Sequence, residues 1–154
     1  MVIGIFGESC AGKSTLAEAI RRAVGGEVVS GKDYLRLARS PLEAERRFRE
    51  RLEIAVKGED VLYVISEKEQ LAFLPEGAAR IRVEADLETV KARFRQRMRG
   101  SLPAPVERML ERNHGMFDDE PCDFRYDGAS GDAPVELARL LERLAQMKNE
   151  TNEG

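Results

Sequence analysis

Basic residues are not in surplus here: 25 lysines and arginines stand against 28 aspartates and glutamates, a formal net charge of −3. A duplex-binding domain normally carries a positive excess. The arginines instead alternate with glutamates along solvated helix faces, so no nucleic-acid partner is expected and any phosphate site must be local. Cysteine is nearly absent. Cys10 and Cys122 have neither the spacing of metal ligands nor the number for a disulfide framework. Both read as free thiols in a reducing compartment, and the cytoplasm is the expected location. Long apolar runs are missing as well. The run Val2–Phe6 has no basic flank before it and a glycine turn after it, which reads as neither signal peptide nor membrane span. Internal repeats and low-complexity segments do not occur.

The 154 residues, 42% apolar and 34% charged, suit one soluble globular domain. That domain is expected over residues 1–147, with 148–154 as a disordered tail that lacks apolar anchors. Monomer and homodimer both remain open. Val2–Phe6 and Val61–Ile65 are short β-branched runs of the kind that form strands buried on both faces of a parallel sheet. Shorter strand signals lie at Glu27–Ser30, Ala79–Ala85 and Phe124–Tyr126. Between them the spacing turns helical: Leu16 and Ile20; Phe48, Leu52 and Ala55; Leu87, Val90, Phe94 and Met98; a short helix at Val106–Asn113; and Leu137, Leu140, Leu141 and Leu144. Ser40-Pro41-Leu42-Glu43 starts one helix as a capping box, and Asp86 caps another. This alternation predicts an α/β three-layer fold with a mostly parallel, five-stranded sheet, whose ligands sit beyond the carboxyl ends of the strands.

Gly7-Glu8-Ser9-Cys10-Ala11-Gly12-Lys13-Ser14 matches G-x-x-x-x-G-K-[ST] at every fixed position, directly after a strand and opening a helix. The chemistry explains each residue type. Glycines let the backbone wrap a polyphosphate with its N–H groups inward, and the helix adds the positive end of its dipole. Lys13 supplies a point charge to the β and γ phosphates, Ser14 offers its hydroxyl to Mg²⁺, and Thr15 closes the loop. ATP with Mg²⁺ is the expected cofactor pair. Cys10 reads as a variable loop position. The loop alone does not choose among P-loop classes, but Val61–Ile65 runs into Ser66 and Glu67 where a Walker B aspartate would stand, and no N-K-x-D stretch reads guanine. Both point to a small-molecule kinase.

Ser30-Gly31-Lys32-Asp33-Tyr34-Leu35-Arg36 resembles the S-T-G-D-x-L-R segment of adenylate kinases. The resemblance implies that Arg36 holds an acceptor phosphate and that Asp33 belongs to the magnesium-water network. Ala85-Asp86-Leu87-Glu88 through Arg93 and Arg97 is similar to the helix entering the family's lid, which implies Arg93 on the adenine and Arg97 on phosphate. The lid, about 99–113, is short and carries no zinc cysteines, so its closure would rest on Arg108 or Arg112. Cytidylate, sugar and shikimate kinases share the scaffold. The D-G-[FY]-P-R segment expected after the third strand is replaced by Ser66-Glu67-Lys68-Glu69-Gln70. The favoured expectation is phosphoryl transfer from ATP to a nucleoside monophosphate. The alternatives are a nucleoside, sugar or other hydroxyl acceptor, with Asp33 as base, or a regulatory module that binds ATP without useful transfer. Asp33 also suits a helix cap, Arg93 and Arg97 a solvated face, Arg108 and Arg112 surface pairs, and His114 the end of a helix.

Overall fold

The computed structural model describes residues 1–129 and 133–153. Five strands form one parallel sheet: β1 Val2–Phe6, β2 Glu27–Ser30, β3 Val61–Ile65, β4 Ala79–Glu84 and β5 Phe124–Asp127. Their spatial order is β2-β3-β1-β4-β5, with Ile3 opposite Leu62 on one side and Ala79 on the other. The helices are α1 Lys13–Val24, α2 Pro41–Ala55, α3 Leu87–Arg97, α4 Ala104–Asn113 and α5 Ala133–Glu153. The five-stranded parallel α/β sandwich expected from the alternation is the architecture found. The crossover leaving β1 runs to β2 on one side and the crossover leaving β3 runs to β4 on the other, so a crevice opens beyond the carboxyl ends of β1 and β3. The phosphate loop occupies that crevice.

Two-residue alternation sorts the sheet's side chains into two cores. Ile3, Ile5, Leu62, Val64, Ile81 and Val83 pack with Leu16 and Ile20 of α1, Val90 of α3, Leu110 of α4, and Leu140 and Leu144 of α5. Val2, Phe6, Val61, Tyr63 and Ile65 face the other way, against Phe48 and Leu52 of α2 and Phe117. The second face is aromatic. Phe48 stands edge-on to Tyr63 with ring centroids 4.9 Å apart and meets Phe73 at 5.3 Å. β4 reads as a weak strand in sequence because only one of its faces is apolar; Arg80, Arg82 and Glu84 line the other, half-buried.

The helix signals act as read. Ser40 Oγ accepts the Glu43 N–H with Pro41 in the first turn, and Asp86 accepts the Thr89 N–H. Two short elements are not anticipated from the sequence. Asp33–Leu37 and Lys68–Phe73 are 3-10 turns, too short to leave a period in the sequence. The terminal segment differs from the expectation: α5 runs on through Glu153, and Lys148 Nζ donates to both carboxylate oxygens of Asp60, at 3.1 and 2.9 Å. A polar partner from the β3 approach, rather than an apolar anchor, fastens the helix there. Gly154, also assigned to the tail, lies outside the described residues, and none of the described helices is long and apolar enough to cross a membrane.

Candidate active site

The loop from Gly7 to Ser14 joins the buried end of β1 to α1. Two of its residues take left-handed backbone: Cys10 with φ 63° and Gly12 with φ 113°. Successive reversals of this kind turn neighbouring N–H groups to one side and form an anion nest. Lys13 folds back over the loop, its Nζ donating to Gly7 O and Glu8 O, both at 2.7 Å. The side chain is 7% exposed, and burial pulls its pKa down to about 8, with Arg97 acting in the same direction and Cys10 and Glu8 opposing it. A lysine held at such a value is poised to gain charge when a polyphosphate arrives.

Arg93 braces the cradle from α3. Its Nη1 donates to Cys10 O at 3.0 Å and its Nη2 to Gly128 O at 2.6 Å. Gly128 is a position against the loop that the sequence reading missed. It follows β5 and touches the loop so closely that a Cβ there would lie 1.9 Å from Ala11 O. The Asp-Gly pair just past a strand end was the available signal. The guanidinium therefore carries a load between two loops, beside a recess of about 510 Å³ lined by Thr15, Leu16, Ala19, Tyr126 and Leu137. Apolar walls with one cationic edge suit a flat heteroaromatic base.

Arg97, one turn on, lies on the Lys13 side of the loop. A recess of about 300 Å³ is lined by Lys13, Ser14, Ser30, Gly31, Ser66 and Arg97, together with the loop. Asp33 stands at its rim: its carboxylate accepts the N–H of Ser30 at 3.1 Å and is otherwise exposed. The contact is not the helix cap weighed from the sequence: Lys32 holds the N-cap position without a side-chain cap bond, and the Asp33 carboxylate instead reaches back to Ser30 at the end of β2, a residue of the recess wall. Arg36 is exposed on the same turn and makes no ion pair among the described residues.

The expected lid is a turn, 98–103, followed by α4. Lys91 of α3 staples α4 through Glu107 at 3.2 Å and Glu111 at 2.7 Å. Arg108 lies apart from the cradle, on an exposed face beside Pro105, Glu111 and Arg112; in this conformation it is not brought to the loop. His114 ends α4 as expected, yet its ring does more. Nδ1 lies 2.8 Å from Glu8 Oε1, joining the end of α4 to the second residue of the phosphate loop. Burial pushes the Glu8 carboxyl above its ordinary value, with His114 pulling the other way. The pair borders a larger open cleft of about 930 Å³ at the ends of β4 and β5. That cleft shares only Gly7 and Glu8 with the cradle and holds no lysine.

Solved structures with this architecture include a sugar kinase from Janibacter sp. HTCC2649 (TM-score 0.66, 15% identity, 94% of each chain covered). A gluconokinase from Sinorhizobium meliloti superposes with a TM-score of 0.60 at 20% identity, over 94% of this chain and 95% of that one. A shikimate kinase from Acinetobacter baumannii, in complex with shikimate, gives 0.63 at 16% identity, over 94% and 93%. The fold is that of the P-loop small-molecule kinases. No protein-family model and no curated protein matches the sequence. In this fold β1 and α1 carry the Gly7–Ser14 loop, and the β2 and β3 turns border the recess beside it.

Proposed function

We propose that this protein transfers the γ-phosphoryl group of ATP to a hydroxyl of a small molecule. One observation carries the reading: Lys13, Ser14 and Arg97 converge on a single recess whose wall continues into the turn bearing Asp33. Phosphoryl transfer asks a protein for alignment and charge neutralisation more than for covalent chemistry. Lys13 and Arg97 stabilise charge on the γ-phosphoryl oxygens, while the loop N–H groups hold the β-phosphate. The acceptor oxygen attacks phosphorus, the bond to the β-phosphate oxygen breaks, ADP departs, and the hydroxyl proton passes to Asp33.

Ser14 is exposed beside the hydroxyls of Ser30 and Ser66, and no carboxylate lines that recess among the described residues. This donor set fits Mg²⁺, which binds through hydroxyl, phosphate and water oxygens. Ser14 would hold it directly, with phosphate and water oxygens completing its shell. Bound there, the ion would neutralise part of the charge on the transferring phosphates.

A hydroxyl acceptor is preferred to the monophosphate favoured from sequence for two reasons. No arginine follows β3, and the structural neighbours are named for sugar, gluconate, shikimate and deoxyadenosine, all of which present hydroxyls. The monophosphate reading keeps one observation in its favour, the unpaired Arg36 beside Asp33. ADP release measured with ATP, Mg²⁺ and a panel of sugars, sugar acids, nucleosides and monophosphates separates the two. Release should depend on a hydroxyl compound, and Asp33→Asn should lower kcat by roughly a hundredfold with no rescue by added Mg²⁺. Turnover confined to AMP or CMP, or rescue of the variant by Mg²⁺, would restore the monophosphate acceptor. ADP release indifferent to every acceptor would leave only a nucleotide-binding module.

A further inference from the structure

Gln70 is a buried polar side chain to which the phosphate chemistry gives no task. It is 5% exposed and sits in the 3-10 turn that follows β3. Its Oε1 accepts the N–H groups of Ser66 and Glu67, each at 3.3 Å. Both partners can only donate, so the oxygen must face them and the amide nitrogen must face away. Nε2 has no hydrogen-bond partner among the described residues, yet no fully enclosed side-chain nitrogen or oxygen among them lacks one. The nitrogen therefore opens onto accessible space.

That space adjoins the β2 turn. A Cβ built on Gly31 would lie 3.6 Å from Gln70 Nε2. Gly31 and Ser66 both line the phosphate recess, so the amide stands beside that wall, where the β2 and β3 turns meet, and Gly31 is two positions from Asp33 in the chain. The turns are held in register: Tyr63 Oη donates to Gly31 O at 2.8 Å. Gly31 has φ +49°, a conformation that disfavours side chains and keeps the approach to the nitrogen clear. A side chain this deeply buried is normally paired at both ends of its amide, and an unpaired donor beside the residues that line a ligand recess can be completed by the ligand.

We propose that Gln70 reads the phosphoryl acceptor, its Nε2 donating a hydrogen bond to an uncharged oxygen of a polyhydroxylated small molecule. The capping oxygen positions the amide, and the amide sets the chemistry at that point of the site. An amide has no charge with which to offset a phosphate dianion, and it offers a directional donor to a hydroxyl or carbonyl oxygen. This specificity role rests on the kinase reading above.

Two variants test it. Gln70→Glu keeps the oxygen that caps Ser66 and Glu67 but replaces the outward donor with an acceptor; Gln70→Met loses both. ADP release is measured with gluconate, shikimate, deoxyadenosine and AMP, and KM is determined separately for acceptor and ATP. For the hydroxyl compound the wild type uses, both variants should raise the acceptor KM roughly tenfold or more, with the KM for ATP within about twofold. An unchanged acceptor KM in Gln70→Glu, with only Gln70→Met impaired and lower melting, makes Gln70 a turn brace and overturns the assignment alone. Wild-type turnover with AMP only overturns it too, because the site then holds a phosphate. No acceptor-dependent turnover at all overturns the kinase reading and this role together.

Discussion

Lys13 shows how burial and function are coupled at one residue. In the free protein, desolvation holds its pKa at about 8, against an ordinary value of 10.5. The sign for stability follows. Between those values the unfolded chain binds the proton and the folded chain does not, so this group makes the ligand-free protein more stable as pH rises from about 8 to 10.5. A polyphosphate reverses the local field and restores the charge. Nucleotide binding at pH 8 should therefore take up about half a proton per site, seen by titration calorimetry in buffers of different ionisation enthalpy. The uptake should vanish in Lys13→Met and fade towards pH 6.5. Binding without proton uptake at pH 8 would mean that the lysine is already fully charged in the free cradle. Arg93 is the complementary case, since its hydrogen bonds to Cys10 O and Gly128 O hold the loop in shape before any ligand arrives.

Among the elements, the segment between α4 and β5 depends on one side chain. Arg82 of β4, 11% exposed, donates to Asp118 O at 2.8 Å, Glu120 O at 2.9 Å and Phe117 O at 3.5 Å, and pairs with Glu84 at 2.8 Å. It satisfies the carbonyls of a stretch that has no regular ladder of its own, and the same stretch sets Phe117 against Phe6, ring centroids 5.5 Å apart. Arg82→Ala should cost about 2–3 kcal/mol, the range for charge-assisted bonds whose partners are left unpaired. Urea denaturation would read the loss as a lower midpoint, and hydrogen exchange should quicken across 114–120 while β1 and β3 stay protected. Uniform quickening across the sheet would argue that Arg82 supports the whole fold rather than this segment. His114 begins that segment, so its contact with Glu8 depends on how well the segment is anchored.

On the scale of the molecule, Asp60 ties the two ends of the chain to the sheet. Lys148 from α5 and the Met1 ammonium, at 3.2 Å, share its carboxylate, and these bonds outweigh burial and hold its pKa below the ordinary value. A carboxyl depressed in the folded state contributes stability above its unfolded pKa and loses it as pH falls. Asp60→Asn should be less stable by about 0.5–1 kcal/mol at pH 7, a value kept small by solvent contact. The difference should narrow as pH falls below the ordinary aspartate value of 3.8 and the wild-type carboxyl protonates. Paired thermal melts across pH 2.5–7 check this, and a gap that persists at low pH would assign the effect to packing instead. The same ion pair explains why α5 continues beyond its apolar stripe.

Strands β1 and β3, the helix starts at Ser40 and Asp86, and the phosphate loop were all legible in the sequence, because each depends on chemistry within a few residues of chain. A β-branched run, a cap three residues from its N–H, and a lysine after a glycine-rich turn carry their geometry locally. The parallel five-stranded sheet was legible as a class for the same reason. What only the tertiary structure decided are the meetings of distant residues: Glu8 with His114 across 106 positions, Arg93 with Gly128 across 35, Lys148 with Asp60 across 88, and Gln70 with Gly31. It also decided which arginines lie beside the loop. Arg93 and Arg97 point to the cradle because α3 leaves β4 beside the loop, whereas Arg108 faces away because Lys91 fixes α4 by its glutamates. Such contacts leave no period or motif in a sequence, since they depend on where the crossovers set down elements whose local pattern is identical in either place.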